Sequence, residues 1–318
     1  MRALITGVTG FVGRYLAQNL LDNGYEVWGG TRKFPSCCIN GVKVIELNLS
    51  HKDLIANVLE EIKPNVIFHL SGQSSVKYSW DYMEETFNAN VMESINLLEA
   101  VKNSLLNNPV RIITIGSAEE YGLGAQLPIN EDTLPNPSNP YGLSKYTLGK
   151  IVLQYNESYR MDVLHARAFN HIGPGQSLGF VTSDFTKQII DIENGKGEPV
   201  MYVGDLSSKR DFTDVRDIVE AYRLLNEKGT AGQIYNVCSG GSTSIQDILD
   251  NLVSFSSRHI EVRVDDKKFR PNNVKEYYGS NDKLRETTDW KPTISLNQSL
   301  YDIYHYWKEK DTNDSRSI

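Results

Sequence analysis

Cysteine is scarce in this sequence, and long hydrophobic runs are missing from it. The three cysteines, Cys37, Cys38 and Cys238, form an odd number without paired ligand spacing, which argues against a disulfide framework and a zinc site. The six histidines are also scattered, so we expect no metal. No apolar run reaches the roughly 20 residues of a membrane helix, and the opening MRALITGVTG is too short for a signal peptide. These absences predict a cytoplasmic chain that does not act on membranes.

An excess of basic residues is lacking as well. The chain has 33 lysines and arginines against 40 aspartates and glutamates, a net charge of -7. Because nucleic acids and anionic membranes are bound through positive charge, we expect neither as the main partner. Any anionic ligand must therefore meet locally clustered basic side chains. The 40% hydrophobic content is ordinary for a globular enzyme of one or two domains.

What the first half does contain is a regular alternation of short β-branched runs and amphipathic segments. ALIT is followed by FVGRYLAQNLLDNG, and NVIFHL by a long predicted helix near 81–106. Such alternation predicts an α/β fold, a Rossmann-type doubly wound parallel sheet with helices on both faces. Ser50 and Asp53 are predicted to form a capping pair that opens the second helix of this region.

The pattern loosens after about residue 168, which indicates a smaller C-terminal α/β domain for substrate binding. We assign residues 1–168, together with about 212–240, to the dinucleotide-binding domain. Residues 169–211 and 241–310 are assigned to the substrate domain. The last residues, 311–318 (DTNDSRSI), are expected to form a frayed tail.

A glycine-rich turn, GVTGFVG, lies between the first predicted strand and the first predicted helix. Gly7, Gly10 and Gly13 let the backbone turn tightly and approach a pyrophosphate at the helix N-terminus, so the turn predicts a dinucleotide site. After the second strand, GGTRK places Arg32 and Lys33 where an acidic residue would bind the ribose of NAD. These basic residues suit a 2′-phosphate. We therefore expect NADP(H), with NAD(H) possible if both are only surface charges.

The stretch YGLSK opens a later amphipathic helix. Its i, i+4 spacing places Tyr141 and Lys145 on one helical face. We expect the Lys145 ammonium to favour the phenolate, which would lower the pKa of Tyr141 toward working pH and allow proton exchange. A tyrosine and lysine at this spacing are often only surface residues, but here they accompany a dinucleotide-binding fold.

The stretch GSAEEYG follows the buried run VRIITI and raises a choice of chemistry. Glu119 in the role of a base would suit an enzyme that eliminates water, whereas Ser117 would suit one that only transfers a hydride. The residues of this stretch alone leave both possibilities open.

Together, GVTGFVG, HLSGQSSV, NANVMESINLLEA, GSAEEYG and YGLSK resemble the extended short-chain dehydrogenase/reductases that act on sugar nucleotides. The resemblance implies that Ser117 orients the C4 oxygen of the sugar, Tyr141 transfers the proton, and Lys145 holds the nicotinamide ribose. Asn48 stands where many relatives have an aspartate for the adenine amino group. The cofactor-binding residues implied are Gly7, Gly10, Phe11, Val12, Gly13, Arg32, Asn48, Leu49, Leu70, Ser71, Gly72, Asn90, Tyr141 and Lys145.

Further stretches, RAFNHIGPGQSLGFVTSDFTKQ, KRDFTDVRD and FRPNNV, resemble one subgroup, the GDP-4-keto-6-deoxy-D-mannose reductases. This resemblance implies reduction of a C4 ketone by NAD(P)H to give GDP-D-rhamnose, or its C4 epimer GDP-6-deoxy-talose. Two guanidiniums and an ammonium would suit a diphosphate in an acidic chain. The substrate-binding residues implied are Ser117, Glu119, Asn170, Val181, Lys187, Arg210 and Arg270.

The alternatives are a GDP-mannose 4,6-dehydratase, a sugar-nucleotide 4-epimerase and a noncatalytic dinucleotide-binding regulator. The loop sequences and Ala118, which stands where some dehydratases carry an acidic residue, favour the reductase with Ser117 as the catalytic residue. Glu119 then positions substrate or accepts a structural hydrogen bond. The resemblance further implies a homodimer formed by the helices near 81–106 and 142–159 as a four-helix bundle.

Overall fold

The computed structural model of the chain describes residues 1–33, 39–106, 109–265 and 274–316. Arg270, Cys37 and Cys38 lie outside these ranges, so the role predicted for Arg270 stays a prediction. The strands are β1 Arg2–Thr6, β2 Glu26–Thr31, β3 Lys43–Glu46, β4 Val66–His69, β5 Arg111–Ser117, β6 Val163–Ala168, β7 Asn170–Ile172, β8 Val200–Val203, β9 Lys209–Arg210, β10 Phe212–Asp214, β11 Ile234–Val237, β12 Thr243–Ser244, β13 Glu261–Val264 and β14 Glu276–Tyr277.

The helices alternate with the strands in the first half of the chain. They are α1 Phe11–Asp22, α2 Lys52–Ile62, α3 Val76–Asp81, α4 Met83–Phe87, α5 Glu93–Lys102, α6 Pro140–Tyr159, α7 Val181–Glu193, α8 Val215–Lys228, α9 Ile245–Ser254, α10 Asp282–Thr288 and α11 Leu296–Arg316. A π-helical turn, Asn88–Met92, joins α4 to α5, and a short 3₁₀ helix, Ala118–Glu120, follows β5. No helix of the described ranges is long and apolar enough to cross a bilayer.

A seven-stranded parallel sheet in the order β11-β6-β5-β4-β1-β2-β3 forms the centre of the molecule. The chain moves outward from β1 to β2 and β3, then returns to the other side of β1 for β4. A doubly wound sheet binds its ligand at such a switch point, at the carboxyl ends of the strands. The predicted Rossmann-type sheet is confirmed. The loops after β1, β4 and β5 all open at this edge.

Alternating side chains of the central strands form two buried layers, one on each face of the sheet. On one face, Ala3 and Ile5 pack in a cluster with Leu16 of α1 and residues of α8. On the other, Leu4 packs in a cluster with residues of α2, α5 and α6. Because a parallel sheet must be covered on both faces, this pattern explains why its strands are almost uniformly hydrophobic.

A third buried cluster lies outside the central sheet and joins α7, α9 and α11 to β8. The short strands near it pair in three small sheets, β10-β7, β12-β9-β14 and β13-β8. The central sheet takes its strands from residues 2–168 and from β11, whereas this third cluster begins at Ile172. These facts support the two-domain division, which stays a proposal.

The structure bears on three expectations about the helices and contradicts one of them. The long helix predicted near 81–106 is present, since α4, the π-helical turn and α5 continue from Met83 to Lys102 with helical backbone at both junctions, whereas α3 is separate and ends at Asp81. The second helix begins at Lys52 without a side-chain cap, so Ser50 and Asp53 form no capping pair there. Helix α11 extends to Arg316, and buried Asp311 accepts hydrogen bonds from Asn194 and Lys196, which directly follow α7. The frayed tail expected over 311–318 stays a prediction.

Candidate active site

The glycine-rich turn after β1 has the close backbone packing that a dinucleotide pyrophosphate requires. Gly7 has a φ of +74° and its amide donates to the Gly30 carbonyl. A Cβ on Gly13 would lie 2.4 Å from the Gly7 oxygen, so a side chain there would push the helix away from the turn. Gly10 caps α1 with backbone alone, and Phe11 and Val12, both partly exposed, form its first turn. These residues fit a bound dinucleotide.

The loop after β4 lies directly against this turn. A Cβ on Gly7 would be 3.0 Å from the backbone of Ser71, and the Ser71 hydroxyl donates to Thr6, the last residue of β1. Leu70 packs against the core on the α1 face of the sheet. The structure therefore brings together the segments at 7–13 and 70–72, both of which the family resemblance implies for the cofactor site.

Buried Asn90 connects this loop to the helix that carries Tyr141. Its amide oxygen accepts from the Gln73 backbone at 2.7 Å, and its amide nitrogen donates to Ser144 at 2.9 Å. A Cβ on Gly72 would lie 2.6 Å from the Asn90 oxygen and 3.7 Å from the Lys145 ammonium. Asn90 occupies the π-helical turn, a distortion that is frequent at functional sites. Its position beside Gly72 and Lys145 fits the predicted place along the cofactor site.

Ser117, Tyr141 and Lys145 meet at the end of β5. The 3₁₀ helix after Ser117 packs so closely on α6 that a Cβ on Gly142 would be 2.4 Å from the Glu119 oxygen. The Tyr141 amide donates to buried Ser79 of α3 at 3.1 Å, which fixes the first turn of α6 from its other side. Ser79 was missed in the sequence, since an isolated serine gives no signal there.

Burial dominates the electrostatics of this trio. The Lys145 ammonium donates to the Ile115 carbonyl at 2.9 Å and lies 6.0 Å from the centre of the Tyr141 ring. Desolvation lowers the pKa of Lys145 to about 8, with the Glu120 carboxylate opposing the shift. The amine is therefore still mostly protonated at neutral pH and loses its charge as the pH rises through about 8.

The expected fall in the pKa of Tyr141 is wrong for this site. Burial raises the pKa of the phenol, a hydrogen bond with Ser117 partly opposes the shift, and the Glu119 and Glu120 charges reinforce it. The reason is that burial destabilises the phenolate by more than the hydrogen bond with the Ser117 hydroxyl stabilises it. Tyr141 is therefore protonated at working pH and is suited to donate a proton.

Glu120, which the sequence analysis overlooked, forms a fully buried network beneath Ser117. Its carboxylate accepts from the Ser117 amide at 2.9 Å and from Arg167 Nε at 2.7 Å, and it lies 2.9 Å from His165 Nε2. Although burial acts to raise the pKa of Glu120, the charges and hydrogen bonds of His165 and Arg167 outweigh it and lower that pKa to about 2. The S-x-x-E spacing of a capping box was the available signal.

Glu119 has a structural partner. Its carboxylate accepts from Asn139 Nδ2 at 2.7 Å, and Asn139 in turn caps α6 by accepting from the Gly142 amide at 2.8 Å. This arrangement is the structural hydrogen bond that we expected as one possible role of Glu119. It holds the start of the helix that carries Tyr141.

The residues predicted to bind the adenine and its ribose lie just after β2 and β3. Asn48 is partly exposed and its side-chain oxygen accepts from the Ser50 amide at 3.1 Å, while Leu49 is buried. Arg32 donates to both carboxylate oxygens of Glu93, at 2.8 and 3.0 Å. A carboxylate therefore does lie beside Arg32. The stretch GGTRK gave no sign of it, because the carboxylate comes from Glu93 at the start of α5.

Apart from Ser117 and Glu119, the residues predicted to bind substrate are spread over the C-terminal half. Asn170 is exposed on β7, Val181 begins α7, and Arg210 Nη1 donates to the Lys209 and Val274 carbonyls, each at 2.8 Å. Lys187 instead pairs with Asp191 at 2.5 Å and lies 3.7 Å from Asp311. Its charge is therefore already paired on the α7 to α11 surface, and its predicted role toward a diphosphate stays a prediction.

Ionisable side chains also occur elsewhere in the described ranges. Among the described residues, no group of three or more histidine, cysteine, aspartate or glutamate side chains could hold a metal ion. His69 is buried, which lowers its pKa to about 3, and it links Thr6 to Ser94 by hydrogen bonds of 2.9 and 2.7 Å. Neutral His69 therefore ties β1, β4 and α5 together.

Comparison with known proteins gives a consistent result. The family model described as GDP-mannose 4,6 dehydratase matches residues 4–303. The chain is 33% identical to GDP-6-deoxy-D-mannose reductase of Pseudomonas aeruginosa, with 97% of this chain and 98% of that protein covered. It is 30% identical to human GDP-mannose 4,6 dehydratase, with 95% and 90% covered.

Solved structures show the same relationship. RMD from Pseudomonas aeruginosa complexed with NADPH superposes with a TM-score of 0.85 at 31% identity, covering 97% of this chain and 99% of that one. A UDP-glucose 4-epimerase from Thermus thermophilus complexed with NAD gives 0.84 at 25% identity, with 97% and 99% covered. The expected similarity to sugar-nucleotide reductases is confirmed. The chain therefore belongs to the GDP-mannose 4,6 dehydratase family of extended short-chain dehydrogenase/reductases.

Proposed function

We propose that this chain is an NAD(P)H-dependent reductase that converts the C4 ketone of GDP-4-keto-6-deoxy-D-mannose to an alcohol. The product is GDP-D-rhamnose, or GDP-6-deoxy-talose if the opposite face of the carbonyl is attacked. The observation that carries this proposal is the meeting of Ser117, Tyr141 and Lys145 at the end of β5, where the Lys145 ammonium lies 6.0 Å from the centre of the Tyr141 ring. Burial raises the pKa of the Tyr141 phenol, so the phenol can act as the acid. A reduction needs an acid at this position, since the carbonyl oxygen must gain a proton.

The residues of the site divide the chemistry between them. When bound, the reduced nicotinamide supplies hydride to C4. Ser117 orients the C4 oxygen by a hydrogen bond, and Tyr141 donates its phenolic proton to that oxygen as negative charge develops on it. Lys145, with its pKa lowered to about 8 by burial, stabilises the resulting phenolate while it remains charged.

The rest of the ligand site follows from the family relationship. We assign the pyrophosphate of the dinucleotide to the turn at 7–13, the 2′-phosphate of its ribose to Arg32, and its adenine to Asn48 and the neighbouring Leu49. NADP(H) is preferred and NAD(H) is accepted, as the NADPH and NAD complexes of the two similar structures suggest. The substrate diphosphate is assigned to Arg210, Arg270 and Lys187. Asn170 and Val181 complete the sugar-nucleotide site.

A homodimer built from the helices within 81–106 and 142–159 is also part of the proposal. Met83, Met92 and Leu143 support it, because they are 48%, 50% and 38% exposed on α4, the π-helical turn and α6. Leu143→Glu should convert a dimer to a monomer in light scattering after gel filtration. Leu178→Glu, on the loop before α7, is the matched control and should remain dimeric. A wild-type monomer would refute this assembly.

The buried free thiol of Cys238 agrees with a cytoplasmic location.

A GDP-mannose 4,6-dehydratase is the second candidate, because Glu119 occupies the position of the base and the human dehydratase is 30% identical. The bond between Glu119 and Asn139 speaks against this role, since it gives the carboxylate a structural partner. Ala118 also offers no acid for a departing hydroxyl.

Cofactor stoichiometry distinguishes the two. The purified chain is incubated with GDP-4-keto-6-deoxy-D-mannose and NADPH, and the fall in absorbance at the NADPH band is compared with product formed. The reductase consumes one NADPH per product, and NMR of that product gives the C4 configuration. In a parallel reaction with GDP-mannose and NADP, appearance of the 4-keto-6-deoxy sugar would establish the dehydratase instead.

A further inference from the structure

Glu93 holds a carboxylate at the place where the cofactor ribose is expected. It is the first residue of α5, and its side chain is 10% exposed, whereas that of its partner Arg32 is 62% exposed. Besides accepting from Arg32, the carboxylate accepts from the Ser50 hydroxyl at 3.2 Å. The three residues come from the loop after β2, the loop after β3 and the start of α5. The carboxylate is therefore held in place from two sides by residues distant in the chain.

The residues at this location decide whether a protein of this fold prefers NAD or NADP. In a doubly wound fold, an acidic residue near the end of the second strand accepts a hydrogen bond from the ribose 2′-hydroxyl of NAD, and an arginine there accommodates the 2′-phosphate of NADP. This chain has both groups in contact. Arg32 directly follows the second strand, and Glu93 lies 61 residues further along the chain.

We infer that Glu93 is a specificity-determining residue that weakens the preference for NADPH and keeps NADH usable. The inference rests on the proposed nicotinamide-dependent function. A 2′-phosphate that approaches Arg32 must share the guanidinium with Glu93 and is repelled by its carboxylate. A 2′-hydroxyl is not repelled and can donate to the same carboxylate. Ser50 maintains the effect by fixing the carboxylate beside Arg32.

Direct binding of the two dinucleotides tests this without any sugar substrate. Dissociation constants of NADPH and NADH are measured by the fluorescence of the bound nicotinamide for wild type and Glu93→Gln, whose amide keeps the size but loses the charge. We expect NADPH to bind roughly three- to tenfold more tightly in this variant. The variant removes the repulsion between one carboxylate charge and the 2′-phosphate near the protein surface, which is worth about this factor. The affinity for NADH should stay the same or fall.

Two further variants sharpen the outcome. Glu99→Gln is the matched control, because Glu99 lies on the same helix and also pairs with a basic residue, Lys102, at 2.7 Å. It should leave both dissociation constants unchanged. Ser50→Ala should shift the ratio of the two constants in the same direction as Glu93→Gln, by a smaller factor.

The inference is overturned if the NADPH to NADH ratio is unchanged in a folded Glu93→Gln protein, or if both dinucleotides are weakened equally. Thermal unfolding of each variant shows whether the fold is intact. If the expected ratios are found and no GDP-sugar is reduced, the inference stands and the proposed function fails. If wild type binds neither dinucleotide, both are refuted.

Discussion

The backbone amide of Ser117 donates a hydrogen bond of 2.9 Å to the Glu120 carboxylate, which is completely buried. The same carboxylate binds Arg167, so a charged pair in the core fixes the end of β5 from below. Removal of one partner from a buried pair leaves an uncompensated charge, which is costly. The orientation of the Ser117 hydroxyl toward Tyr141 therefore depends on a residue that does not itself reach the site.

Glu120→Gln should lower the free energy of unfolding by roughly 3–5 kcal/mol, because it leaves the buried Arg167 charge uncompensated. The pKa of Glu120 falls from its usual 4.5 to about 2 on folding, so its charge stabilises the fold above pH 4.5 and stops doing so as the pH falls toward 2. The difference between wild type and variant should therefore shrink below pH 4.5. Urea unfolding at a series of pH values measures it.

The control for this prediction is Glu60→Gln, a change of the same kind at an exposed position of α2. Its free energy of unfolding should stay within about 0.5 kcal/mol of wild type. A Glu120→Gln protein as stable as this control would show that the buried network contributes little.

Tyr141→Phe should lower kcat by roughly 10²- to 10⁴-fold, since it removes the proton donor. NADPH affinity should change by no more than about twofold, because the ring and its packing remain. Steady-state kinetics and nicotinamide fluorescence measure the two quantities. Tyr155→Phe, on the same helix, should keep its turnover. Retention of wild-type turnover by Tyr141→Phe would remove the phenol from the mechanism.

The pKa of Lys145 predicts the pH above which the reaction slows. Burial lowers its pKa to about 8, so the ammonium is lost as the pH rises through that value, whereas the pKa of Tyr141 is raised and the phenol stays protonated. We expect kcat/KM to fall above pH 8. Lys145→Arg should react more slowly at neutral pH but keep its activity to higher pH, because a guanidinium stays charged. If kcat/KM of this variant falls above the same pH as that of wild type, a group other than Lys145 causes the fall.

Glu119→Gln distinguishes a structural carboxyl from a catalytic one. The glutamine oxygen can still accept from Asn139, so the cap of α6 survives, and we expect turnover within about threefold of wild type. Asn139→Ala removes the cap itself and should cost about 1 kcal/mol of stability. A loss of turnover of about 100-fold or more in a stably folded Glu119→Gln protein would instead show that the carboxylate takes part in the chemistry.

The elements that were predicted correctly depend on neighbours in the sequence. Gly7 and Gly13 mark a turn whose geometry is decided within seven residues, and the alternation of strands and helices gives the doubly wound sheet. The face shared by Tyr141 and Lys145 follows from helical spacing. The π-helical turn at Asn90 was not predictable in this way, since such a turn leaves the pattern of apolar residues nearly unchanged.

The amino-acid sequence by itself determined the fold class, the position of the dinucleotide turn and the identity of the Ser117, Tyr141 and Lys145 trio. Only the tertiary structure decided the protonation of that trio, because desolvation depends on what surrounds a side chain. It also decided the partner of Arg32. The charge that meets Arg32 comes from Glu93, whose distance along the chain hides the contact from any local pattern.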